Sequence, residues 1–464
     1  MELISILVKY DVTVIGAGVA GLYVAYKIAE KGFRVALIES KPRERIGDKA
    51  CGDAIGIHHF EYLGIEPPSN IIDNYYDGVS VCEPSGENCI TTHGKGVSIN
   101  RIGFGQWLLK KAIDHNVELY DKHWFTRVFI KNNYIESVEA RESGSLKPVI
   151  FESKFFIDAS GAKPSLRTKL PDEWPVSEKP LTSDFNITYR EVIELDKPIE
   201  LDTRYAYIYL NTEIAPGGYW WIFPKNRDGT IVNTGLGVLW SIENVNPRIL
   251  FEKHLRHRFK GRVLSRGGGL VPTRRPLPTL VWRNIAIVGD AAYTVNPIHG
   301  GGIGSSLRAS DIVAKNIVET LESGVVNEES LWNINKEYMS VYGGKQASLD
   351  ILRMFLQKLN NSDFEWIIRN KIVDERSIYD IGHHGLLSRE LVFRIARLIK
   401  LVQKPSFLNK LRVVKKYMDL LEKLYTVYYP DKSVEIYEWM GRVDRVIREY
   451  CLNIDYVLGE KVKW

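Results

Sequence analysis

Short, mainly apolar runs of buried-strand type lie at positions 11–15 and 34–39. Between them, over 19–30, Ala, Tyr and Ile recur at helical spacing. The pattern predicts a strand–helix–strand unit of about 30 residues. A second amphipathic helix is predicted over 99–115, and a strand over 151–159 that runs into Asp158-Ala159-Ser160-Gly161. From 185 to 239 the regime changes. Apolar and aromatic positions alternate with polar ones, punctuated by Gly and Pro, which predicts antiparallel sheet. A continuous apolar run returns at 284–289, followed by a Gly-rich turn and a helix from about Gly304, and from about residue 328 the pattern is nearly all helical. The order α/β, β, α/β, α predicts a discontinuous Rossmann-like nucleotide-binding domain (1–70, 99–170 and 281–327). An antiparallel β-rich substrate domain (71–98 and 171–280) is inserted in it, and a helical region (328–464) follows.

Composition narrows this little. With 45% hydrophobic and 26% charged residues the chain is neither disordered nor fibrous. Four scattered cysteines suit neither a zinc module nor a secreted disulfide framework, and no metal site is expected. No apolar run reaches the roughly 18–20 residues of a membrane span. Residues 1–8 lack the basic start of a signal peptide, so a cytoplasmic location is expected. Only four Gln and five Met beside many charges suggest a heat-adapted source. The net charge of +5 is local: residues 391–420 carry eight Lys/Arg against one acid.

The chemistry begins with Gly16-x-Gly18-x-x-Gly21, directly after the first predicted strand and opening the first helix. Gly16 permits a tight turn, Gly18 lets a diphosphate approach the helix N-terminus, and Gly21 lets helix and strand pack closely. Glu39 closes the second strand, placed to accept from a ribose hydroxyl; an acid there favours FAD or NAD over NADP. A second motif reads Val288-Gly289-Asp290-Ala291-Ala292, then Asn296-Pro297-Ile298-His299-Gly300-Gly301-Gly302-Ile303-Gly304. It suits a polyol hydroxyl at Asp290 and an electron-rich ring edge at a helix N-terminus.

Together with Arg101 in Asn100-Arg101-x-x-Phe104 and with Asp158-Ala159-Ser160-Gly161…Ser165-Leu166-Arg167, these motifs resemble the flavoprotein superfamily of aromatic hydroxylases and geranylgeranyl reductases over roughly residues 10–310. The resemblance implies an FAD cofactor, with Asp290 on its ribitol, Gly302 and Ile303 against the flavin ring, and Arg101 in contact with the cofactor. Val19, Ala20, Val128, Gly161, Gly289, Pro297, Gly300 and Gly301 are expected at the same site. Lys49-Ala50-Cys51-Gly52-Asp53-Ala54 and Tyr219-x-Trp221-x-Phe223-Pro224 resemble archaeal geranylgeranyl reductases in particular, whose signatures are Cys-Gly-(Gly/Asp) and Tyr-x-Trp-x-Phe-Pro. By that resemblance Ala50, Cys51, Gly52 and Ala54 lie over the flavin.

The implied activity is FAD-dependent reduction of isolated C=C bonds in geranylgeranyl chains, in archaeal membrane lipid precursors and in geranylgeranyl diphosphate. A trisubstituted alkene is not electrophilic. Protonation to a tertiary carbocation, stabilised by aromatic faces, would precede hydride delivery from reduced flavin. Cys51 and Tyr219 are candidate proton donors. No second dinucleotide motif or iron–sulfur cysteine cluster is evident, so electrons are expected from an external donor, reduced ferredoxin or NAD(P)H. The rival readings are a flavin-dependent monooxygenase and a non-catalytic flavin-bound prenyl-lipid carrier.

Other residues leave alternatives open. Tyr205, Tyr207 and Tyr209 share one strand face, as do Tyr219, Trp221 and Phe223; the two faces either line a polyene tunnel or are ordinary sheet packing. Cys51 is either a thiol activated at a helix start or a buried structural cysteine. His299 reads as structural, and His383 and His384 receive no role. Cys82 and Cys89 flank a turn and are either a hairpin disulfide or a thiol pair. Arg394, Arg397 and Lys400 sit among apolar residues, with Pro405 expected to interrupt the helix; the segment is either a solvated basic helix or a peripheral contact with an anionic membrane surface. No nucleic-acid partner is expected.

Overall fold

The computed structural model describes residues 6–145, 147–324, 328–381 and 404–463. The chain opens with β1 (Ile6–Ile15), α1 (Val19–Ala29), β2 (Val35–Ile38), β3 (Ala54–Gly56), α2 (His58–Leu63), β4 (Ile72–Cys82) and β5 (Cys89–Ile99). Next come α3 (Arg101–Asp114), β6 (Glu118–Tyr120), β7 (His123–Lys131), β8 (Tyr134–Glu142) and β9 (Pro148–Asp158). The middle of the chain supplies β10 (Phe185–Leu195), β11 (Tyr205–Tyr209), β12 (Tyr219–Pro224), β13 (Ile231–Leu239), α4 (Pro247–His254) and β14 (Gly261–Pro272). After β15 (Val281–Trp282) and β16 (Ile285–Ile287) the described elements are helical: α5 (Ile303–Ser323), α6 (Glu328–Tyr338), α7 (Gly344–Leu356), α8 (Asn361–Arg369), α9 (Glu375–Tyr379), α10 (Pro405–Thr426) and α11 (Ile436–Asn453).

Two sheets result. In the first, β16, β9, β1, β2 and β6 run parallel to their neighbours, with β15 antiparallel at one edge and the β7–β8 hairpin joined to β9. Its central strands are buried on both faces, as Val12, Val14 and the run Val35, Ala36, Leu37 and Ile38 show, which is why they read as mainly apolar runs. Helix α1 packs against both α3 and α5 over this sheet. The second sheet has the order β14-β10-β13-β12-β11-β4-β5-β3, antiparallel except where β11 runs parallel to β4. Strand β3 pairs with β5, so Ala54–Gly56 joins the second sheet from inside the span expected to serve the first.

The parallel sheet, the antiparallel sheet and the closing helices reproduce the expected mixed architecture. Pro405 stands at the start of α10; Pro suits a first turn, where its missing N–H has no partner to lose. The basic positions Arg394, Arg397 and Lys400, together with His383 and His384, lie outside the described residues. Among the described residues no helix is long and apolar enough to cross a membrane. Cys82 and Cys89 face each other across β4–β5 and are joined in a disulfide.

Candidate functional site

The Gly-rich turn between β1 and α1 forms one end of a cavity of about 1500 Å3. Gly16 takes φ +102°, and a Cβ there would lie 2.5 Å from the Ala159 carbonyl oxygen, so only glycine fits the turn. A Cβ on Gly21 would collide with the Gly16 carbonyl, whereas nothing lies within 4 Å of a Cβ on Gly18. The three glycines thus divide into turn, packing and open approach, and Gly18 stands at the N-cap of α1 with no side-chain cap. Glu39 is fixed beside this turn: its Oε2 accepts from the Ala17 amide at 2.8 Å, and its Oε1 accepts from the Lys41 amide at 2.8 Å and Ser40 Oγ at 3.0 Å. Arg101, in the first turn of α3, reaches the same cavity with Nε and Nη1 buried and without hydrogen-bond partners. An open helix N-terminus, an accessible Gly18 and an unsatisfied buried guanidinium fit a dinucleotide diphosphate.

The second motif forms the facing wall. Gly289 packs so closely on α1 that a Cβ there would lie 2.9 Å from that of Ala20. Asp290 lines the cavity and accepts from Lys49 Nζ at 2.7 Å. Pro297, Gly300, Gly301, Gly302 and Ile303 follow along the same wall, with Val19, Ala20 and Gly161 across from them on the first motif's side.

Residues 50–54 cross between the two sheets and also line the cavity. The Asn233 side chain donates from Nδ2 to the Cys51 carbonyl at 2.8 Å and to Asp53 Oδ2 at 3.0 Å, while its Oδ1 accepts from Trp221 Nε1 at 3.1 Å. Lys225 Nζ bridges Asp53 Oδ2 at 3.0 Å and Asp73 Oδ2 at 2.8 Å. A Cβ on Gly52 would lie 2.9 Å from the Phe223 ring. Cys51 is unbridged and half-buried, its loop held on the aromatic strand by these bonds.

Tyr219, Trp221 and Phe223 face the cavity, with successive ring centroids 6.1 and 5.9 Å apart. The Tyr219 hydroxyl donates to the His299 carbonyl at 2.6 Å. Burial first, then the nearby Cys51 charge, raise its pKa above the ordinary phenol value. His299 is pushed down to about 4, by burial and then by Lys345. Its Nδ1 accepts from the Gly301 amide at 3.1 Å, which identifies the neutral ring with its proton on Nε2.

Tyr205, Tyr207 and Tyr209 do not join this wall. Register pairs Tyr207 with Ile222 and Tyr209 with Trp220, and directly opposed residues share a face. The tyrosines therefore belong to a separate apolar cluster on the far side of the sheet, where Tyr209 stacks on Trp220 at 3.9 Å. From β11 the cavity receives Ala206 and Ile208 instead. Val128 packs against the main core from β7, off the cavity wall; Phe125 on the same strand lines the cavity.

Sequence reasoning missed the opposite wall. Leu352, Phe355 and Leu356 of α7, Phe364 and Ile367 of α8, and Phe407 and Leu411 of α10 continue the cavity as an apolar chamber. Their helical spacing was the available signal. It marks a buried face, but not what that face encloses.

Comparison with known proteins agrees with this geometry. A family model described as the geranylgeranyl reductase catalytic domain matches residues 184–271, and one described as FAD dependent oxidoreductase matches 11–79. The chain is 36% identical over 447 residues to the digeranylgeranylglycerophospholipid reductase of Sulfolobus acidocaldarius, covering 95% of this chain and 98% of that protein. The protein of the same name from Methanothrix thermoacetophila is 27% identical, covering 80% of this chain and 94% of its own. Among solved structures, a geranylgeranyl bacteriochlorophyll reductase-like protein of Thermoplasma acidophilum superposes with a TM-score of 0.74 at 22% identity, over 86% of this chain and 99% of that one. The FAD-dependent chondrochloren halogenase of a myxobacterium gives 0.61 at 16% identity, over 82% and 95%.

Proposed function

Because the chain belongs to the digeranylgeranylglycerophospholipid reductase family, we propose that it reduces isolated C=C bonds in geranylgeranyl chains of membrane lipid precursors and of geranylgeranyl diphosphate. The observation that carries this reading is the single cavity that joins the dinucleotide turn at Gly18, past Cys51 and Trp221, to the apolar chamber between the second sheet and the closing helices. A polyene would lie in that chamber with one double bond presented beside the Cys51 loop.

FAD is the cofactor, and when bound and reduced it brings hydride-transfer chemistry to the cavity. Gly18 and Arg101 would hold its diphosphate, Glu39 its ribose and Asp290 its ribityl chain, with Gly302 and Ile303 at the ring edge. The remaining requirements fall on the chain itself. Trp221 and Phe223 offer ring faces that favour a developing cation and exclude water from it. The Tyr219 proton is committed to the His299 carbonyl, which makes Tyr219 an orienting residue. The Cys51 thiol lines the same cavity and has no disulfide partner. We assign it the proton donation: S–H breaks, C–H forms, and the thiolate is reprotonated from solvent. The electron source lies outside the chain, reduced ferredoxin or NAD(P)H, identified by which of them bleaches the flavin absorbance under argon. Peripheral contact with an anionic membrane surface would deliver the lipid.

The test is an anaerobic reaction of the chemically reduced protein with a geranylgeranyl substrate, followed by mass spectrometry. Products heavier by successive pairs of hydrogens are expected. A product heavier by one oxygen atom, formed only in air, would replace this reading with a monooxygenase, and unchanged bound lipid would replace it with a carrier.

A further inference from the structure

Five basic side chains on the cavity wall lie close together: His58 and His59 of α2, His299 of the Gly-rich turn, Arg308 of α5 and Lys345 in the first turn of α7. The histidines are closely seated. A Cβ on Gly56 would lie 2.5 Å from the His58 ring and one on Gly301 2.6 Å from the His299 ring, and one on Gly304 would overlap His59. The His58 and His59 rings lie 4.1 Å apart. The Arg308 guanidinium sits 3.9 Å over the Tyr62 ring, and its Nε, like Nδ1 of His59, is buried without a hydrogen-bond partner.

The charged and titratable groups that shift His59 and Lys345 are basic. Burial, followed by His58, Arg308, Lys345 and His299, pushes His59 down to about 2. Burial and then Arg308 lower Lys345 to about 8, which leaves it largely protonated at neutral pH. A bound anion would offset the mutual repulsion of Arg308 and Lys345. A planar guanidinium, an ammonium and imidazole N–H groups are donors suited to phosphate oxygens.

Resting on the function proposed above, we infer that this cluster is the binding subsite for the phosphate or diphosphate group of the prenyl substrate, whose chain fills the apolar chamber. The phosphates of the dinucleotide have their own elements, at Gly18 and Arg101, so the two anion sites are separable by mutation.

The experiment uses the FAD-loaded protein, with binding of geranylgeranyl diphosphate and of uncharged geranylgeraniol measured by calorimetry. Arg308→Met and Lys345→Met should each weaken diphosphate binding roughly tenfold or more, the effect of losing one charge-assisted bond. Geranylgeraniol binding should be unchanged, and Lys345→Arg should restore the diphosphate. Equal losses for both probes would show a packing role and overturn the inference, as would loss of flavin from the variants, which would assign the cluster to the cofactor. Inorganic pyrophosphate that binds through Arg308 while the two lipids bind alike would mean a free anion, not a lipid head group. If neither lipid binds the wild-type protein, the geranylgeranyl reading falls first and this subsite with it.

Discussion

Gly18 combines an ordinary backbone, φ −72°, with empty space where a Cβ would stand. A Cβ there meets no protein atom within 4 Å, so Gly18→Val should fold; it should nevertheless fill the approach that a diphosphate needs. The expected product is a colourless protein with wild-type circular dichroism, and a variant that keeps full flavin absorbance would show the dinucleotide lies elsewhere. The turn at Gly16 and the close packing at Gly21 were legible in the sequence because each follows from residue type at a short, fixed spacing. Asn233 was not. Its amide holds the Cys51 carbonyl across 182 residues and Asp53 across 180, and an asparagine in a strand gives no sign of which distant loop it will meet. The same holds for Lys49 on Asp290, 241 residues away. Asp53 adds a conformational clue visible only in the structure: it occupies φ +64°, a region costly for a residue with a Cβ, and its carboxylate is gripped by Lys225 and Asn233.

At the scale of the element, alternation within a strand shows which side chains travel together but not which way they point. Tyr205, Tyr207 and Tyr209 do share a face, as their spacing predicts. What turns that face from the cavity is the pairing of β11 with β12, which places Tyr209 opposite Trp220 rather than Trp221. Adjacent tryptophans should therefore behave differently. Trp220 is 3% exposed in a well-packed cluster, so Trp220→Ala should cost about 3–5 kcal/mol of stability, read from denaturant unfolding. Trp221→Ala should instead cut turnover or change how many double bonds are reduced, with FAD content kept, since Trp221 belongs to the chamber and not to the nucleotide turn. An unchanged product distribution at an unchanged rate would remove Trp221 from the substrate wall. The β4–β5 hairpin allows a simpler check. With Cys82 and Cys89 bridged, titration of the unfolded, unreduced protein should find two thiols, Cys51 and Cys451; finding twice that number would mean the bridge is absent in solution.

The described C-terminal helices close the molecule, and the sequence showed the region from residue 328 as helical without showing that these helices wall the cavity. Helix α7 illustrates why: one face supplies Leu352, Phe355 and Leu356 to the chamber, while Asp350 and Arg353 bind it to the rest of the protein. Asp350 is fully buried. Its Oδ1 accepts from Arg353 Nε and Nη2 at 2.9 and 2.7 Å, and its Oδ2 accepts from Arg275 Nη1 at 3.1 Å. Arg353 Nη1 continues to the Ser183 carbonyl at 2.8 Å, ahead of the second sheet. Burial alone would raise the Asp350 pKa, but the attraction of Arg353 and then Arg275 holds it below the ordinary carboxylate value. A depressed folded pKa means that the ionised carboxylate stabilises the fold above the unfolded value, near 3.9, and that this contribution fades as pH falls through the lower folded value. Asp350→Asn keeps the shape but leaves the buried Arg353 and the part-buried Arg275 without their counter-ion, a change that costs about 3–5 kcal/mol for comparable buried pairs. The variant should be much less stable than wild type at pH 7 in chemical denaturation. The gap between them should narrow as the pH falls below about 4, because only the wild type has a carboxylate to protonate. A gap that stays constant down to pH 2 would mean that the loss reflects packing, and the ion network would then not be what docks α7 onto the sheets.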